Sequence, residues 1–180
     1  MKTNKNLLVM MTAIIVIVSF IFGTLRSNAQ TAQVIEKRIG NTVYELDTVR
    51  YILKNKANKI TWQESNKGGC VIYFDNEELT RKEWLEIFKP IFSKERAEEL
   101  KIMLHIICFF DTSGQIQEIE IFFRTREDFE MFTLSEIKAM EDAAKKFRYK
   151  NLSWRNCENS KYGRFGHPFS PYLLYFERPK

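Results

Sequence analysis

The chain has 180 residues, with 28 Lys and Arg against 23 Asp and Glu, a formal charge of +5. Lys2, Lys5 and Arg26 are its only charged residues before Glu36, so the chain beyond Ala29 carries +2 and no basic block suited to nucleic acid. Fifteen Phe, seven Tyr and three Trp against seven Gly and four Pro exclude a disordered or low-complexity chain and fit one folded domain.

Lys2 and Lys5 precede an uncharged apolar run from Leu7 to Leu25, followed by Arg26-Ser27-Asn28-Ala29-Gln30. A basic start, an apolar middle and small residues before a polar run are the parts of a signal peptide, with cleavage expected after Ala29. Residues 30–180 then form a single exported domain, periplasmic or secreted. The apolar run is long enough to span a hydrocarbon core of roughly 30 Å, so a transmembrane anchor in the inner membrane, facing the periplasm, is the alternative. Contact with the membrane is expected only through this segment, if uncleaved. The first cysteine is Cys70, which closes the route of lipid attachment at the cleavage site.

Gly40-Asn41 predicts a tight turn between two short strands, and Asn66-Lys67-Gly68-Gly69 a loop leading into a strand over Cys70–Phe74. Thr80 with Glu83 predicts a capped helix that Pro90 interrupts, and Ser93 a second, solvated helix to Lys101. Ile102–Phe110 is an apolar strand, apolar on both faces and therefore central or covered twice. Asp111-Thr112-Ser113-Gly114 is a turn, and Gln115–Arg124 returns with Ile119, Ile121 and Phe123 on one face. Thr133 and Glu136 open a helix with Ile137, Met140, Ala144 and Phe147 on one face, supported by Glu141–Lys145 and Asp142–Lys146. An irregular stretch from Asn151 to Pro171 precedes a closing strand, Tyr172–Phe176. Strand, helix, hairpin, helix, strand predicts an α+β domain with helices on one face of an antiparallel sheet.

The span Leu104–Phe176 resembles the C-terminal domain of the TonB family of energy transducers. The resemblance lies in the apolar strand running into Asp111-Thr112-Ser113-Gly114, the return strand, the helix bearing Ile137, Met140 and Phe147, and the closing aromatic strand. It implies a protein partner in the cell envelope that adds a strand to a sheet edge, here at Tyr172, Leu174 and Phe176. The family's Pro-rich spacer is absent, since the first proline is Pro90. The Ala29-Gln30 ending also looks like small exported proteins of Bacteroidetes-type bacteria.

Cys70 and Cys157 flank loops and form the expected disulfide, with three free thiols as the alternative; Cys108 reads as a small buried hydrophobe. Neither histidine belongs to a metal or hydrolase motif, and no metal or cofactor is expected. His105 reads as a hydrogen-bonded strand residue. Trp154, Arg155, Tyr162, Arg164 and Phe165 interleave the residue types that dominate binding hot spots. These features point to a non-catalytic exported binding or adapter domain. The alternatives are an exported enzyme using Cys157 and His167 as nucleophile and base, or a structural subunit of an envelope complex.

Overall fold

A computed structural model describes residues 33–66 and 70–176; the expected export signal, Met1–Ala29, lies outside them. The described strands are β1 (Val34–Ile39), β2 (Thr42–Asp47), β3 (Ile52–Asn55), β4 (Val71–Phe74), β5 (Leu104–Asp111), β6 (Ile116–Phe122), β7 (Leu152–Arg155) and β8 (Tyr162–Phe169). The described helices are α1 (Glu77–Glu86), α2 (Lys94–Glu99), α3 (Arg126–Glu130) and α4 (Leu134–Lys146), with a closing 3₁₀ turn at Pro171–Leu174. Six strands form an antiparallel sheet in the order β1-β2-β3-β6-β5-β8, while β4 and β7 pair in a separate ribbon. The architecture is α+β with a mostly antiparallel sheet.

Gly40, at φ 54, takes the first position of the two-residue turn joining β1 to β2, where a primed hairpin turn needs positive φ. The Asp111 turn forms too: Gly114 N donates to Asp111 O at 2.9 Å, and Asp111 Oδ1 accepts from Ser113 and Gln115. Gly114 has φ 84, and a Cβ there would collide with the Tyr149 carbonyl. β5 lies between β6 and β8. Its Leu104, Ile106, Cys108 and Phe110 are buried, as are Ile119 and Ile121 of β6.

Thr133 and Glu136 make the reciprocal box that opens α4, burying Ile137, Met140 and Ala144. Glu141 pairs with Lys145 at 2.6 Å, but Asp142 pairs with Lys138 and not with Lys146. For α1 the cap is Asn76, whose Oδ1 accepts from Leu79 N at 2.9 Å. Thr80 falls inside the helix, because Asn caps as well as Thr and Glu77 and Glu78 suit the first turn. Ser93 caps α2. That helix is less solvated than its charge predicts: Ala97 is buried, and Arg96 grips Glu136 at 2.7 and 3.0 Å.

The expected closing strand is the main correction. Pro171–Leu174 is a 3₁₀ turn, and the strand beside β5 is β8, inside the stretch read as irregular. His105 also departs from its reading, since its side chain is exposed.

Candidate binding surface

One face of the sheet is packed by the helices. Trp84 of α1 has its ring centroid 4.7 Å from His167 of β8 and 5.5 Å from Phe147, and Phe88 packs on Phe169. The other face is crossed by the loop 56–66. Glu118 of β6 accepts from Lys59 N at 2.7 Å and Ile60 N at 2.8 Å, and Asn58 Nδ2 donates to Ile119 O at 2.9 Å. Asn66 Oδ1 accepts from Arg164 N at 2.8 Å, fastening the loop's far end to β8.

These anchors set Trp62 over the sheet. Its Nε1 donates to Glu120 at 2.7 Å, its ring meets Phe109 and Phe122 edge-on, and the Arg164 guanidinium lies 3.9 Å from its centroid. Trp62 is nevertheless 42% exposed. Two adjoining cavities, of about 460 and 220 Å³, share Arg50, Ile52, Lys54, Trp62 and Glu120 as lining. Tyr51, beside Arg50, has φ 53, a position that costs about 1–3 kcal/mol for a bulky residue and fixes the turn carrying Arg50.

Electrostatically the trough is cationic at one end. The larger cavity is lined by Arg50, Lys54 and Lys59 against Glu120 alone, and that carboxylate already holds the Trp62 indole. Among the described residues, the Arg50 and Lys59 side chains make no ion pair. At the other end Glu45 faces Lys54 and Lys56 at 3.9 and 3.7 Å, and Asp47 accepts two turn amides. A separate groove of about 660 Å³ between α1 and α4 has an apolar floor and a rim of mixed charge.

Of the residues expected to bind, Arg164 belongs to this surface. Trp154 packs edge-on against Phe110, and Phe165 against Phe74 and His167. Tyr162 is half-buried at the start of β8, bridged to Ser65. Arg155 lies over Tyr73 on the β4–β7 ribbon. The five do not make one surface, because alternate residues of a strand point to opposite faces. Tyr172, Leu174 and Phe176 are not a sheet edge. Leu174 is buried, the Tyr172 and Phe176 rings stack at 4.6 Å, and Lys101 and Lys94 cover them.

Cys157 and His167 do not form a nucleophile–base pair. Cys157 is bonded to Cys70 at an S–S distance of 2.06 Å, and His167 Nε2 pairs with Tyr149 Oη at 2.7 Å. The buried free thiol is Cys108, its pKa pushed up to about 12 by desolvation. A thiol so protonated is not a nucleophile, and the Tyr149–His167 pair is a polar contact within the core. Among the described residues no cluster of His, Cys, Asp and Glu could hold a metal ion, and no helix is long and apolar enough to cross a membrane.

His167 carries a pH signature. Burial, and secondarily the charge of Arg81, lowers its pKa to about 3 from an ordinary 6.5. Below pH 6.5 the unfolded chain binds a proton that the folded one refuses, so stability falls as pH drops from 6.5 toward 3 and is flat above. At pH 5 the expected loss is about 2 kcal/mol. Urea titrations at pH 7 and pH 5 check this, and His167→Gln, which keeps a partner for Tyr149, removes this contribution between those two pH values.

No protein-family model matches the chain, and no curated protein matches it. Among solved structures it is similar to the crystal structure of a DUF5043 family protein from Bacteroides uniformis. The TM-score is 0.58 at 17% identity, over 78% of this chain and 93% of that one. At that identity the likeness is one of fold.

Proposed function

We propose that the chain is a non-catalytic, protein-binding adapter domain exported to the cell envelope, and that it engages its partner through the sheet face around Trp62. The observation that carries this reading is a large aromatic side chain pinned by a carboxylate, a guanidinium and two rings, yet left 42% exposed beside a cavity. Trp and Arg are the commonest hot-spot residues, and a rigid anchor loses little entropy when it binds. The Cys70–Cys157 bond and the leader-like N-terminus support export into an oxidising compartment. This contact through a face takes the place of the TonB-like strand addition at a sheet edge. Asn66 occupies the outer edge of β8 at Arg164, and Pro168, four residues along, lacks the N–H a docking strand would need.

The test is capture from cell-envelope extracts by tagged chain. Wild-type protein is expected to retain a defined partner, and the Trp62→Ala/Arg164→Ala variant to lose it by about tenfold or more, some 1.4 kcal/mol or above. Equal capture by both proteins, with unchanged thermal melts, would contradict the proposal.

A further inference from the structure

We propose that the Trp62 trough takes an acidic peptide segment carrying one apolar or aromatic side chain; this rests on the protein-binding reading above. The chemistry of the lining selects that class. Ile52 and Phe122 are half-buried, and with the free part of Trp62 they form an apolar floor for one side chain. Around it stand Arg50, Lys54 and Lys59, while the one carboxylate of the larger cavity, Glu120, is occupied by the Trp62 indole and faces the charge of Arg164. At this end an incoming carboxylate therefore meets Arg50 and Lys59, which make no ion pair among the described residues, while Lys54 lies 3.9 Å from Glu45; in the smaller cavity Glu45 is engaged by Lys54 and Asp47 by two turn amides. Arg50 adds the flat fork that pairs both oxygens of a carboxylate.

The shape selects a chain segment over a small anion. The two cavities are contiguous and together exceed the room one side chain needs. The trough is also held in place before binding, by the Glu118 carboxylate on two loop amides and by the Asn58 and Asn66 contacts. Exposed ion pairs are individually weak, so the charged residues set selectivity and salt dependence while Trp62 and the floor hold the anchor.

Fluorescence anisotropy with labelled Glu-Glu-Glu-Phe-Glu-Glu-Glu as the probe tests this on the purified chain. The acidic probe is expected to bind about tenfold or more tightly than Lys-Lys-Lys-Phe-Lys-Lys-Lys and than the acidic peptide with Ser in place of Phe. Raising salt from about 50 to about 300 mM should weaken it several-fold. Arg50→Glu/Lys59→Glu, both at the surface, should lower binding by about tenfold with an unchanged melt. Saturable binding that ignores the sign of the peptide charge, or no binding by folded protein, overturns the proposal. If Trp62→Ala/Arg164→Ala abolishes partner capture while the acidic probe fails to bind, the surface stands and the acidic chemistry is wrong.

Discussion

Reducing the Cys70–Cys157 bond is expected to lower stability by about 3–5 kcal/mol, more than half of what holds a marginal domain together. The two cysteines are 87 residues apart, and the bond closes a loop containing α1, β5, β6 and α4. Loop-closure entropy for such a span is about 4.6 kcal/mol, an upper bound because denatured chains keep residual structure. The bond also lies at the end of the β4–β7 ribbon, one residue before Val71 and two after Arg155, its last register pair. A two-stranded ribbon is marginal by itself, so the crosslink supports it locally as well. Urea unfolding with and without reductant, repeated on Cys70→Ser/Cys157→Ser, measures the effect. Buried Cys108 leaves the disulfide as the accessible redox group. A midpoint unmoved by reductant would show that the crosslink constrains nothing.

Loss of the Glu141 carboxylate is expected to cost a similar amount, about 3–5 kcal/mol in Glu141→Ala. Glu141 lies on the buried face of α4, its side chain 3% exposed. It accepts from Tyr44 Oη at 2.5 Å and Asn55 Nδ2 at 3.1 Å, and pairs with Lys145 at 2.6 Å. This ties the helix to β2 and β3 through one ion. Removing the carboxylate strands a buried hydroxyl and an amide, whereas replacing both sides by apolar groups strands fewer. The double variant Tyr44→Phe/Glu141→Leu should therefore recover much of the loss, and the cycle with the single variants gives the coupling. A loss below about 1 kcal/mol in Glu141→Ala would mean that water reaches the site and the Glu141 contacts are not structural. The Tyr44 hydroxyl, whose pKa burial and then the Glu141 bond raise, stays protonated in its role as donor.

The parts of this fold that could be read from residues alone are those whose signals are local. Thr133 and Glu136 cap α4 from three residues apart, and Ile137, Met140 and Ala144 repeat on its face. Asp111 to Gly114 carries its own turn chemistry. β8 was hidden because its residues look like loop, and each does so for a tertiary reason. Gly163 is small because a Cβ there would collide with Ile72 and Phe110 from the ribbon and β5. Pro168 is tolerated because its missing N–H faces the sheet's edge. Tyr172–Phe176 alternates like a strand, but Pro171 starts a 3₁₀ turn and the rings stack on one another.

The candidate surface was legible only in Arg164. Trp62 stands in a polar loop without periodicity, and its partners Glu120 and Arg164 are 58 and 102 residues away. Composition can flag an Arg beside aromatics; it cannot say that β8 turns Arg164 to one face and Phe165 to the other.

Site-directed photo-crosslinking in cells tests the central claim most directly. A benzophenone side chain at Gln63, which lines the larger cavity next to Trp62, is expected to trap a single protein partner. The same group at Glu98 on the exposed side of α2 is expected to trap none. Crosslinks from Glu98 and not from Gln63, with both proteins folded, would contradict the assignment of the Trp62 face as the binding surface.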